Sequence, residues 1–347
     1  MTVVLLFLAF TGVVVAALAA YSQVLRARAE AQFPPVGEMR AVDGVRLHYV
    51  DHIPPGWQAG DPVLVFVHGA SGNLRDPRMA FFDALSQRHR LIFVDRPGHG
   101  YSERGGGEAH SPARQADLIL GLLRALDLRD AVAVGHSWGG SVVAQMGLKA
   151  PDLVRGLVFV APATHPWPGG VNWYYDLAAL PVIGPLFTHT LAPPVAALVA
   201  PAAISNVFLP EAAPENYDTR IALPLLFRPD SFLANARDVA RLKPEVAKAA
   251  PRYGEIRQPA AVITGDKDTV VYPDIHSAGL VRDLPNAWRV DLEGAGHMPH
   301  HTRTGRVVRE IEAVIAATRS RRPGPEAVGS TTSDDAPATG TQGARGG

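Results

Sequence analysis

Residues 131–141 read Ala131-Val132-Ala133-Val134-Gly135-His136-Ser137-Trp138-Gly139-Gly140-Ser141. A short apolar run leads without a break into G-x-S-x-G, and a helix-forming stretch, 141–149, follows. This order predicts a buried strand over 131–134, a sharp turn centred on Ser137 and a helix behind it. Such a turn strains the backbone at the serine, so glycines are needed on both sides to let strand and helix approach closely. The turn presents the serine oxygen at the top of a sheet, beside a helix N-terminus whose N–H groups favour developing negative charge. Ser137 is therefore the candidate nucleophile.

A serine hydroxyl is a weak nucleophile until a base takes its proton, and that base must be oriented by a carboxylate. His297 stands in Glu293-Gly294-Ala295-Gly296-His297-Met298, a glycine-bounded loop just after the last apolar run. It is preferred over His300 and His301, which lie further into the next segment, and over His136, which belongs to the turn itself. Two carboxylates, Asp266 and Asp268, follow another strand end in Thr264-Gly265-Asp266-Lys267-Asp268. Asp268 is the favoured partner; Asp266 is its alternative, or a cap for the turn. The backbone N–H groups of Trp138 and Ala70 are the expected oxyanion donors, with His68 bracing the Ala70 loop and Asp95 anchoring the turn over 96–100.

Other apolar runs place strands at 39–41 and 45–50, joined by Asp43-Gly44 as a hairpin, and at 63–67, 91–94, 157–160, 260–264 and 288–292. Helical patterns cover 112–126 and 303–317. This alternation predicts an α/β fold with a mostly parallel sheet and helices on both faces. The alternation stops over 161–255, where Pro, Ala, Leu and aromatics recur with helical periods near 176–179, 195–207 and 232–239. A strandless excursion between two sheet strands predicts a helical lid, so the core divides into 36–160 and 256–319.

No charged side chain precedes Arg26, and the apolar stretch 3–20 is about long enough to cross a bilayer. Residues 1–25 are expected to form a single transmembrane anchor. The alternatives are a cleaved signal peptide, with Ala17-Leu18-Ala19 as its small-residue site although no basic residue comes before the apolar run, and a merely buried helix. Arg26 and Arg28 after that run place the catalytic domain on the cytoplasmic side. At the other end, 320–347 is rich in Gly, Pro, Ser and Thr and is expected to be disordered. With 33 basic and 33 acidic residues the chain shows no electrostatic footprint for nucleic acid. It has no cysteine, which removes disulfides and thiolate chemistry together. The scattered histidines lack the close His and carboxylate spacing of a zinc site, so no metal and no cofactor is expected.

The segments His68-Gly69-Ala70-Ser71-Gly72-Asn73, Asp95-Arg96-Pro97-Gly98-His99-Gly100, Gly135-His136-Ser137-Trp138-Gly139 and Gly296-His297, in this order, resemble the α/β-hydrolase superfamily over about 36–318. The likeness is to its lid-bearing, esterase-like branch. It implies that the aspartate three residues after Gly265 is the triad acid, supporting Asp268. Relatives with an aspartate at the elbow open alkyl carbons, whereas Ser137 implies acyl chemistry without a cofactor. Lid aromatics, Trp167, Trp173, Tyr174, Tyr175, Phe187, Phe208, Tyr217, Phe227 and Phe232, suggest an apolar small-molecule ester as substrate. A carbon-carbon bond or lactone hydrolase, using Arg228 or Arg241 to recognise a second carbonyl or a carboxylate, is one alternative. A non-enzymatic ligand-binding protein on the same fold and an acyltransferase are the others.

Overall fold

Uninterrupted runs of Val, Leu, Phe and Ala become the inner strands, buried on both faces as expected where helices cover a parallel sheet on each side, while mixed apolar and polar runs become the partly exposed strands towards its edges. In the computed structural model, which describes residues 1–320, these strands are β1 (Glu38–Val42), β2 (Val45–His52), β3 (Val63–Val67), β4 (Arg90–Val94), β5 (Ala131–His136), β6 (Val154–Val160), β7 (Ala260–Gly265) and β8 (Ala287–Leu292). They form one eight-stranded sheet in the order β1-β2-β4-β3-β5-β6-β7-β8. The β1-β2 hairpin turns at Asp43 and Gly44, both with positive φ (48° and 75°), and β2 runs antiparallel to β4. Every other pairing is parallel. The tail 321–347 lies outside the described residues.

The period-2 alternation of β3 divides the core in two. Val63, Val65 and Val67 pack beneath helices Pro112–Ala125 and Trp138–Lys149 on one face. Leu64 and Phe66 meet helices Arg75–Leu85 and Thr304–Ser320 on the other. Full burial of each such side chain contributes roughly 1.5–3 kcal/mol.

Three local readings change. The helix after Ser137 begins at Trp138, not at 141, so Gly139 and Gly140 lie inside it. A Cβ on Gly139 would stand 2.3 Å from Val67 O, so close contact with β3, rather than helix breaking, is the reason for that glycine. The lid helix read as 232–239 spans Pro229–Ala249 and carries Pro244 within it, a residue that reads locally as a stop. The N-terminal helix spans Thr2–Gln32, beyond the apolar stretch and through Arg26, Arg28 and Glu30.

That extension is held by the domain. Ser22 Oγ donates to Thr190 O at 3.2 Å, and Ala29 and Phe33 are buried against Ala222 and Leu225. Arg228, a candidate substrate contact in the sequence, pairs with Glu30 at 3.2 Å, donates to Gly100 O and lies over the Tyr101 ring. Its charge thereby ties the N-terminal helix to the core. Between β6 and β7 the chain forms helices Trp173–Ala179, Ile183–Thr190, Ala192–Phe208, Tyr217–Arg220 and Pro229–Ala249, with no strand among these described residues.

Candidate active site

Ser137 joins β5 to helix Trp138–Lys149 with φ 51° and ψ −119°, a left-handed excursion costing a non-glycine residue on the order of 1–3 kcal/mol. Its backbone is secured from two sides: its N–H donates to Val160 O at 2.9 Å and its carbonyl accepts from Ala163 N at 3.0 Å. A Cβ on Gly135 would stand 2.5 Å from Gly139 O, and one on Gly69 would stand 3.1 Å from the Ser137 Cβ. Glycine spacing in the motif thus records backbone contact between turn, helix and the Ala70 loop.

His297 Nδ1 donates to Asp268 Oδ2 at 2.8 Å, and both side chains are buried. The other oxygen of Asp268 accepts from Val270 N at 2.8 Å and Val271 N at 2.9 Å. Binding through Nδ1 fixes the tautomer and leaves Nε2 as the imidazole's basic nitrogen. Asp266 instead accepts from Gly294 N at 2.7 Å and joins the loops after β7 and β8. His136 Nε2 donates to His297 O at 3.0 Å and buttresses the loop rather than presenting its ring to solvent.

The Ala70 loop is braced as a unit. His68 Nδ1 donates to Gly69 O at 2.8 Å while its Nε2 accepts from Arg96 N at 3.0 Å. Burial holds this imidazole well below its ordinary pKa, which keeps it neutral and able to do both. Asp95 accepts from Leu74 N at 2.7 Å and Tyr101 N at 2.9 Å and is paired with His48 at 2.6 Å. Trp138 N is the first amide of its helix and has no acceptor within it.

Three residues to which the sequence reading gave no role at the site connect this loop to the lid. The buried Arg96 donates to His68 O at 3.0 Å and Gly69 O at 3.1 Å, and its guanidinium lies 4.1 Å from the Trp138 ring centroid. Asp238, on lid helix Pro229–Ala249, accepts from Arg96 at 2.6 Å and from Arg104 at 2.6 Å. Burial lowers the Arg96 pKa to about 10, with Asp238 opposing the fall, so the guanidinium stays charged at neutral pH. Asn235, three residues earlier, accepts from Ser71 N at 2.7 Å. One signal was present in the sequence: Asn235 and Asp238 fall in the stripe with Phe232, Leu242 and Val246, where a polar side chain needs a buried partner.

The lid aromatics divide. Tyr175 brings its hydroxyl 3.5 Å from Ser71 Oγ, whereas Phe208 packs edge-on against Tyr217 and Trp173 is exposed. A cavity of about 590 Å³ lies between the N-terminal helix and the lid, lined by Leu25, Arg28, Ile204, Tyr217 and Phe227 among others. Ser137, Asp268 and His297 are not part of its wall.

One expectation needs correction: a close His and carboxylate group does exist. Asp76, His300 and His301 bring one donor atom each within 4.8 Å of one another. Asp76 Oδ1 accepts from His301 at 2.8 Å and Tyr217 OH at 2.8 Å, and its Oδ2 accepts from His300 at 3.1 Å. The spacing was invisible because more than 200 residues separate the partners. These bonds account for the arrangement as a tie between helix Arg75–Leu85, the lid and the segment after His297.

Burial lowers His300 to a pKa of about 4, and does the same to His276. Nδ1 of His300 has no partner, and Nδ1 of His276 accepts from Thr164 N and His165 N, so a proton at either place is poorly received. The unfolded chain binds these protons near pH 6.5 and the folded one only near 4. Stability is therefore fully present above about pH 6.5 and falls as pH drops toward 4, by up to about 3 kcal/mol for each histidine. Urea midpoints measured between pH 7.5 and 4 should decline through this window; a flat profile would contradict the buried neutral state.

Comparisons with known proteins agree with this architecture. The family description "alpha/beta hydrolase fold" matches residues 62–304. The chain is similar to an uncharacterized protein of Mycobacterium tuberculosis, 27% identical over 296 residues that cover 82% of each chain. It is also similar to the 2-hydroxymuconate semialdehyde hydrolase of Pseudomonas putida, 27% identical over 295 residues, 82% of this chain and 96% of the other. Among solved structures, a bacterial membrane phospholipase A superposes with a TM-score of 0.64 at 20% identity, covering 92% of this chain and 97% of that one. An enol-lactonase from Burkholderia xenovorans LB400 does so with a TM-score of 0.63 at 20% identity, covering 80% and 100%. The protein belongs to the α/β-hydrolase fold family. It is a hydrolase of that family, with an eight-stranded sheet and a serine at the elbow.

Proposed function

We propose that the protein is a serine hydrolase that cleaves carboxylic ester bonds of apolar small molecules through an acyl-enzyme. The observation that carries this reading is the 2.8 Å bond from His297 Nδ1 to Asp268, which leaves Nε2 as base for a serine held in the strained elbow. Ser137 Oγ attacks the ester carbonyl as His297 takes its proton. The N–H groups of Ala70 and Trp138 receive the developing oxyanion. His297 then protonates the leaving alcohol, and water, activated by the same imidazole, releases the acid. Core segments 36–160 and 256–319 carry this machinery, and 161–255 covers it as a lid.

The N-terminal helix serves as a single-pass membrane anchor, with Arg26 and Arg28 holding the domain on the cytoplasmic side. It is long and apolar enough to cross a bilayer, and none of its apolar window is buried.

The test is reaction of the full-length, detergent-solubilised protein with a fluorophosphonate, followed by initial rates on p-nitrophenyl esters of graded acyl length. Covalent labelling at Ser137 and turnover with a chain-length optimum are expected. A folded protein that shows neither would refute the esterase reading. A carbon-carbon bond or lactone hydrolase is the second reading, favoured by likeness to the 2-hydroxymuconate semialdehyde hydrolase. It predicts labelling with little ester turnover and activity on vinylogous diketone acids or lactones. Against it, Arg228 is already engaged by Glu30 and Gly100 O.

A further inference from the structure

We propose that the outer face of the lid is a second membrane-binding surface, seated in the interface of the same bilayer that the N-terminal helix crosses. The inference rests on the anchor reading and concerns a different part of the chain. Helices Ile183–Thr190 and Ala192–Phe208 together are apolar enough for a membrane span, yet they bend by 66° at their junction. Bent in this way they cannot cross as one rod, but they can lie in the interface with apolar side chains directed into it. The chain leaves those side chains open: Val182 is 82% exposed and Leu198 81%, and Ile183, Leu186, Leu191 and Trp173 are exposed as well.

The register of the N-terminal helix supplies the depth. Its apolar stretch ends near residue 20, and Ser22 is bonded to Thr190 O. Two residues rise only about 3 Å along a helix, so the bend of the lid stands level with the end of the membrane-crossing stretch. Polarity then changes in step on both elements. About one turn further into the domain Arg26 meets Asp230 at 3.4 Å, and about one turn beyond that Glu30 meets Arg228. The apolar lid face and the exposed apolar helix therefore form one continuous surface with a single charged margin. A second copy of the chain could cover the lid face, but that arrangement would not account for the shared boundary with a stretch of bilayer length.

Because the protein has no cysteine, one introduced thiol reports from one position. Full-length Phe7→Cys, Leu198→Cys and Asp61→Cys, each carrying an environment-sensitive fluorophore, would be reconstituted in phosphatidylcholine and phosphatidylglycerol vesicles. Asp61 is exposed in the loop before the N-terminal end of β3, whereas Ser71, which is bonded to Asn235 of the lid, follows that strand's other end. Retained circular dichroism and urea midpoints confirm that each variant folds. Labels at positions 7 and 198 should be quenched by nitroxide-bearing lipid and be at least roughly threefold less sensitive to aqueous iodide than the label at 61, as for interfacial burial. If position 198 behaves like 61 while position 7 is quenched by lipid, the lid inference is overturned and the anchor stands. If 198 is shielded from both quenchers, a second copy covers the face and the inference is likewise overturned. Iodide access at position 7 would reject the anchor reading, and this inference with it.

Discussion

Ser137→Ala should lower kcat on a p-nitrophenyl ester by about 10⁴-fold or more and abolish fluorophosphonate labelling, with KM little changed. The substitution deletes one hydroxyl and leaves the elbow's backbone bonds to Val160 O and Ala163 N in place, so the unfolding free energy from urea titration should stay within about 0.5 kcal/mol of the parent. Asp268→Asn distinguishes the two carboxylates. Asp268 already receives two backbone N–H groups on one oxygen, and an amide on the other side would set its NH₂ against His297 Nδ1–H or force the wrong tautomer. A loss of about 10⁴-fold is expected for it. Asp266→Asn should cost less than tenfold, since that side chain serves only Gly294 N and Lys267. Equal losses at 266 and 268, or residual labelling in Ser137→Ala, would overturn the assignments.

The second large effect concerns the ion pair between core and lid. Asp238→Ala strands the fully buried Arg96 guanidinium without its carboxylate and removes a partner of Arg104. Breaking a buried pair from one side costs about 3–5 kcal/mol. For a domain of this size that corresponds to a Tm drop on the order of 10 °C. Because Arg96 also holds the carbonyls of His68 and Gly69 and lies over Trp138, kcat should fall more than KM rises. Replacing both partners with apolar groups of similar size, Arg96→Met with Asp238→Leu, should recover most of the stability but not the rate, since an apolar pair packs yet cannot hold the carbonyls. A loss below about 1 kcal/mol in Asp238→Ala would show that the pair is not desolvated as described.

These two predictions draw on different sources of information. The elbow, the aspartate loop and the His297 loop were each readable in sequence because every one is local: an apolar run followed at once by glycines and one polar side chain. The alternation of strands and helices was equally readable, since a strand buried on both faces needs an unbroken apolar run. Boundaries failed where a residue's local preference was overruled by contact. The helix read from 141 begins at Trp138, so Gly139 lies inside it, pressed against Val67 O, and the lid helix read as 232–239 runs on through Pro244 to Ala249.

The amino-acid sequence by itself determined the sheet, its order of elements, the serine turn and the apolar N-terminal stretch, because each follows from side-chain periodicity or backbone freedom over a few neighbouring residues. Tertiary structure alone decided that Asp238 neutralises Arg96 and that Asp76 gathers His300, His301 and Tyr217, and it set Asp268, the aspartate the sequence already favoured, against His297. It also decided that the N-terminal helix continues onto the lid. Those choices depend on which polar groups lose water together, and burial of that kind exists only after distant segments have packed.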